Sequence, residues 1–245
     1  MKAKNSVIFA FMFCILALTL CACRLQNVVP PQIQPAVQQP QTVESTPEPT
    51  PEPTPELQPI DYYRDILNRW YTAAVEKWDM ETLENNSLNY MAAYCYADNP
   101  TDRLGFQLRD LDGDGITELL VGSMMGDDYQ DLIVLELYTV KDGSPVQVFS
   151  SGERDRYYLC SDGTFANEGS SSAFESTYNY YSYTNGELVL NGSVKFDMAA
   201  NREQPYFFET SGERINVDEA SATAKINEYK ALYVKPGYTP FSQYQ

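Results

Sequence analysis

The sequence predicts an α+β fold: N-terminal helices packed on a largely antiparallel β-meander, with one late helix. Three observations predict it. Apolar residues from Ile60 to Trp78 recur at helical spacing, the period shortens to two from Phe106, and three Asx-Gly pairs punctuate the strand-like runs. Alternation of strand with helix is not visible, so a doubly wound parallel sheet is not expected.

Ile60, Tyr63, Leu67, Trp70, Ala74 and Trp78 form one helical face, and Pro59 suits a first turn. Asp79 is placed to cap a second helix with Leu83, Met91 and Tyr94 turned inward, ended by Asn99-Pro100. Strands are expected at 105–110, 117–123, 131–140, 145–150, 155–160, 163–168, 174–184, 187–197 and 205–209. Asp142-Gly143, Asp162-Gly163 and Asn185-Gly186 supply the positive φ angles that tight hairpin turns need. The late helix is expected at 218–230, capped by Asp218, with Ala222, Ile226 and Tyr229 inward.

Composition excludes several functions. The 245 residues contain no histidine, which removes Ser-His-Asp and Cys-His nucleophile pairs and zinc helices of the HExxH type. A net charge of −17 disfavours nucleic acid as a partner, because that needs a basic face.

Lys2 and Lys4 precede the uncharged apolar run Val7 to Leu20, too short for an ordinary membrane-spanning helix and suited to a secretory signal over residues 1–22. The run ends in Leu20-Cys21-Ala22-Cys23, which resembles a bacterial lipobox. The resemblance implies cleavage before Cys23 and a diacylglycerol on its thiol. The rival acceptor Cys21 would put bulky Leu20 at the cleavage position, and a plain secretory signal is the alternative. Two acyl chains on one residue anchor a protein stably to a membrane. The expected location is therefore the extracellular face of the cell membrane.

Residues 23–58 read as the lipidated cysteine followed by a Pro/Thr/Glu-rich disordered stalk. Nine of the fifteen prolines fall there, and few apolar residues are available to bury. Fully extended, the stalk reaches roughly 110 Å. Residues 59–245 then read as a single acidic domain with 30 acidic and 14 basic residues.

The most specific motif is Asp110-Leu111-Asp112-Gly113-Asp114-Gly115-Ile116-Thr117-Glu118. It places carboxylates at loop positions 1, 3, 5 and 9 and a glycine at position 6, where the chain must turn sharply. A hard divalent cation needs six or more converging oxygens. Asp110, Asp112, Asp114 and Glu118 can supply side-chain oxygens and Ile116 a carbonyl. The pattern resembles the calcium loops of EF-hand-like, dockerin and FG-GAP repeats. Position 12, a bidentate Glu in the EF-hand, is Val121 here, and flanking strand-like runs bring the context closer to FG-GAP. The resemblance implies a structural Ca²⁺, and the missing ligand at position 12 puts the expected dissociation constant at about 10⁻⁴ to 10⁻³ M. A metal-free Asp/Gly turn is the alternative.

Other features are weaker. Tyr178, Tyr180, Tyr181 and Tyr183 are a candidate binding surface in a strand, one pair on each face, although tyrosine's β-propensity explains the same residues with no ligand and is the preferred reading. Cys95 and Cys160 are either a disulfide or two buried thiols. Glu153, Arg154, Asp155 and Arg156 alternate in sign and read as a salt-bridged strand face. Taken whole, the chain is similar to Gram-positive surface lipoproteins that combine a signal, a stalk and a DxDGDGxxEL-bearing domain. Two functions are expected candidates. One is a membrane-anchored, Ca²⁺-stabilised binding or interaction module for a protein or glycan. The other is a glycosidase-type hydrolase using paired carboxylates, with non-enzymatic binding the preferred reading.

Overall fold

The computed structural model describes residues 57–245; the expected signal, Cys23 and the stalk up to Glu56 lie outside the described residues. Helix α1, Pro59–Glu76, begins on a capping box between Gln58 and Asp61 and ends at Lys77, whose φ of 52° is left-handed. It buries Tyr63, Leu67, Trp70, Ala73 and Ala74, so the helical spacing predicts the inner face well. Helix α2, Met80–Asn85, carries the expected cap: Asp79 accepts from the Thr82 amide at 2.8 Å.

The second helix does not continue to Asn99 as expected. The chain leaves it through Ser87, at a φ of 55°, and resumes as a 3₁₀ helix, Tyr90–Cys95. Asn89 makes that break. Its side chain accepts from the Met91 amide and donates to the carbonyls of Leu135 and Ser151, tying the turn to the sheet. Met91 remains buried, but the tighter winding leaves Tyr94 half exposed. Pro100 starts a short helix α3, Pro100–Arg103, rather than merely stopping one, since a first-turn proline lacks only an amide that would be unbonded anyway. Among the described residues no helix is long and apolar enough to cross a membrane.

The remainder is an eleven-stranded antiparallel sheet and one late helix, α4, Glu219–Lys230. Its strands are β1 (Leu104–Arg109), β2 (Glu118–Ser123), β3 (Ile133–Lys141), β4 (Ser144–Ser150), β5 (Asp155–Leu159), β6 (Phe165–Ser172), β7 (Glu175–Thr184), β8 (Glu187–Asp197), β9 (Tyr206–Thr210), β10 (Glu213–Val217) and β11 (Thr239–Pro240). Their order is β10-β9-β8-β7-β6-β5-β3-β2-β1-β11, and β4 pairs with the far end of the same β3 edge that β5 uses. The fold is thus α+β with a meander, as the sequence predicts. Asp142-Gly143 and Asn185-Gly186 have positive φ at both residues, the type I′ geometry that matches strand twist. Asp162-Gly163 makes a wider turn, with positive φ at the glycine alone. Asp218 caps α4 by accepting from the Ser221 amide at 2.7 Å.

Both faces of the central strands are buried. On one face α1, α2 and the 3₁₀ helix cover a core that includes Trp70, Leu119, Val121, Leu135 and Tyr158. On the other, the sheet curls over a second core of Leu120, Val134, Leu137, Phe149, Leu159, Phe165 and Tyr183. The curl is visible in contacts between strands that are not neighbours. Lys141, at the end of β3, pairs with Glu187 at 3.1 Å, and a Cβ on Gly186 would meet the Thr139 side chain at 2.8 Å.

Candidate metal centre

The acidic loop is the connection between β1 and β2. Gly113 and Gly115 have φ of 78° and 89°, so the chain can wind tightly enough for its carboxylates to fold inward. Asp110 accepts from the amides of Gly113 at 2.7 Å and Gly115 at 3.0 Å. Asp114 accepts from Ile116 at 2.7 Å. Asp112 reaches out of the loop and accepts from the Asn185 amide, at the β7–β8 turn, at 2.6 Å.

Carboxylate oxygens of Asp110, Asp112 and Glu118 converge to within 4.8 Å of one another. Asp110 is exposed, Asp112 half-buried and Glu118 fully buried. Asp114 is not in that trio; it is exposed, and Ile116 beside it presents its side chain to solvent. Glu118 accepts from the Leu111 amide at 2.9 Å and from the Thr139 hydroxyl at 3.2 Å. Burial pushes its pKa up and the nearby Asp112 charge adds to that, against the opposing hydrogen bonds. The Tyr183 hydroxyl is buried beside Glu118 and Thr139 without a well-aligned partner. An all-oxygen cluster with a buried carboxylate suits a hard divalent cation, which would offset the repulsion and stabilise the ionised Glu118. The loop, the Asp162-Gly163 turn and the β7–β8 turn frame an open depression of about 530 Å³.

The tyrosine stretch is less open than expected. Tyr178 and Tyr180 share one face of β7, and Tyr181 and Tyr183 the other. Tyr183 is buried in the second core, and Tyr181 packs against that core. Tyr180 is stacked on Tyr229 of α4, with ring centres 4.4 Å apart. Tyr178 lines two open depressions, one of them beside α4, and Tyr183 borders the depression at the acidic loop. The four therefore do not form one binding platform, because α4 and the curl cover most of it. Sequence alternation places the faces; it carries no signal for what packs on each.

Cys95 and Cys160 are free, buried thiols rather than a bridge. Burial raises Cys95 to about 12 and Cys160 to about 11, which favours the protonated thiol at neutral pH. Asp127, Asp128 and Asp131 organise a turn: Asp127 and Asp131 accept loop amides, and Lys235 pairs with Asp128 and Asp131.

Sequence reasoning missed Glu136. Only 1% exposed, it accepts from Trp70 Nε1 at 3.0 Å, the Tyr138 hydroxyl at 2.7 Å and Gln147 Nε2 at 3.2 Å. Burial raises its pKa to about 7. A lone glutamate inside the apolar run Ile133–Tyr138 is the signal that was available. Glu136 lies on the helix-covered face and Glu118 on the curled face, so these two buried carboxylates do not flank a common cleft. Comparison of the chain with protein-family models, curated proteins and solved structures returns no match.

Proposed function

We propose that the protein is a surface lipoprotein, anchored through Cys23, whose acidic domain is a binding module stabilised by Ca²⁺. The convergence of Asp110, Asp112 and Glu118 on one point carries the calcium part of this reading. Supporting it, Asp112 ties the loop to the β7–β8 turn, so an ion there braces the curled sheet instead of a single hairpin. The ion's role is structural: it neutralises carboxylates and fixes a strand connection. The paired-carboxylate hydrolase gains nothing from Glu118 and Glu136, which face opposite ways.

Calcium at about 10 mM is expected to raise the melting midpoint by roughly 3–10 °C, given a dissociation constant near 10⁻⁴ to 10⁻³ M. Asp110→Ala combined with Asp112→Ala removes that rise. A wild-type midpoint that ignores calcium rejects metal stabilisation. For the anchor, Cys23→Ala is expected to abolish acyl-probe labelling and release the protein from membranes. Unchanged labelling rejects Cys23 as the lipid site.

A further inference from the structure

The helix-covered face of the sheet is not covered throughout. Pairing places Arg156, Glu168, Tyr178 and Val194 in one row across β5–β8, on the side that also carries Tyr158. The 3₁₀ helix Tyr90–Cys95 roofs one flank of this row. At the other flank Tyr229 of α4 stacks on Tyr180 and Lys230 lies over Tyr178. Between the flanks the strands are open.

A cavity of about 450 Å³ lies at the 3₁₀ flank. Its apolar lining comes from Met91, Cys95, Met125, Ile133 and Leu135, and Glu153, Arg154 and Arg156 also border it. A second depression of about 320 Å³ shares Glu153 and both arginines, takes in Glu168, and runs on to Ser170 and Tyr178. The volumes are those of ordinary small-ligand sites, apolar with a few charged groups to fix orientation.

The two arginines are the informative part. The alternating charges of Glu153–Arg156 were expected to pair along the strand. Among the described residues neither Arg154 nor Arg156 makes an ion pair; Arg69, Lys77, Arg103, Arg109 and Arg202 share that, but these two border one cavity together. The nearby acids are occupied elsewhere: Glu153 accepts from the Tyr94 hydroxyl, and Glu168 pairs with Lys230 at 3.1 Å. Arg154 donates to the Ser170 hydroxyl. Arg156 rests 5.8 Å from the centre of the Tyr129 ring, and its Nε is buried without a hydrogen-bond partner. A guanidinium presents a planar fork of donors that matches a carboxylate.

We infer that the cavity bordered by Arg154 and Arg156 binds an organic carboxylate carrying an apolar group, with the carboxylate on the guanidiniums and the apolar group against Met91, Met125 and Leu135. A free N-acylated amino acid and the last residue of a peptide share this chemistry. The inference supplies a ligand class for the binding-module reading on which it rests, at a place separate from the calcium loop.

Isothermal titration of the full chain in a non-ionic detergent tests it, with N-acetyl-leucine, its amide, a hexapeptide ending in leucine, and glucuronate as probes. N-acetyl-leucine is expected to bind, and the amide to bind at least about tenfold more weakly because the charged hydrogen bonds are lost. Arg156→Gln and the more exposed Arg154→Gln should each weaken binding by about tenfold or more, whereas Arg202→Gln at the surface leaves it unchanged. A hexapeptide that binds at least as tightly as N-acetyl-leucine identifies the peptide end as the source; one that is excluded identifies the free acid. Equal binding of acid and amide overturns the inference, as does binding of glucuronate alone, or no heat from any probe at about 10 mM. Asp110→Ala with Asp112→Ala is expected to leave carboxylate binding intact, so the calcium reading and this one fail separately.

Discussion

Replacing Glu136 by alanine is expected to destabilise the fold by about 3–5 kcal/mol, because it opens a cavity and strands the donors of Trp70 and Tyr138 in the core. Denaturant titration measures the loss. Glu136→Gln separates shape from charge. It retains an oxygen for both donors and cannot ionise, so it should cost far less. The wild-type protein should also show a pH signature that the glutamine variant lacks. The native carboxyl group keeps its proton up to about pH 7, against an ordinary value of 4.5. Between those limits the native state binds more protons than the unfolded chain. Stability contributed by this group is therefore complete below the lower limit and declines as pH rises through the upper one, by about 3 kcal/mol in all. Parallel pH profiles for wild type and Glu136→Gln would remove Glu136 as the titrating group. Carboxylates whose pKa values are lowered, such as Asp79 and Asp218, act in the opposite sense at more acidic pH.

Gly122→Ala is expected to cost about 3 kcal/mol, a typical penalty for forcing atoms into a packed core. Gly122 sits at the irregular step of the β2–β3 pairing. A Cβ there would lie inside contact distance of the Tyr238 ring and hydroxyl. Tyr238 is held in the second core, and its buried hydroxyl has no hydrogen-bond partner. Tyr238→Phe alone should therefore be neutral or mildly stabilising, since it removes an unsatisfied polar atom. Combined with Gly122→Ala it should recover part of the loss, and a double-mutant cycle reads the coupling. Additive effects would show that the glycine is required for another reason.

These two residues mark where sequence reading stops. Alternation, Asx-Gly turns and the caps Asp79 and Asp218 are local signals, and they place nine strands and three of the four α-helices at or near their observed positions. β10 is largely exposed and lacks a clean apolar alternation, and β11 is two residues long, so neither has enough period to read. Tyr94 was turned inward on the assumption of an unbroken helix; Asn89 bonds to residues 46 and 62 positions away, which no local period encodes. The acidic loop is legible because its ligands lie within nine residues. Its partner Asn185 is not. The same holds for Arg154 and Arg156, whose open setting depends on which strands register beside them and how far α4 extends over β7.

The hydrogen bond from Asn185 to Asp112 spans 73 residues of chain. Closing so long a loop costs more entropy than forming the β7–β8 hairpin or the acidic loop, so the contact that latches the curl is expected to form after both. Interactions made after the folding barrier act on the rate of unfolding rather than of folding. An ion at this latch would chiefly prolong the lifetime of the native state and leave the speed of reaching it little altered. In the extracellular setting proposed above, that lifetime would set resistance to proteases that cleave unfolded chain faster than it refolds.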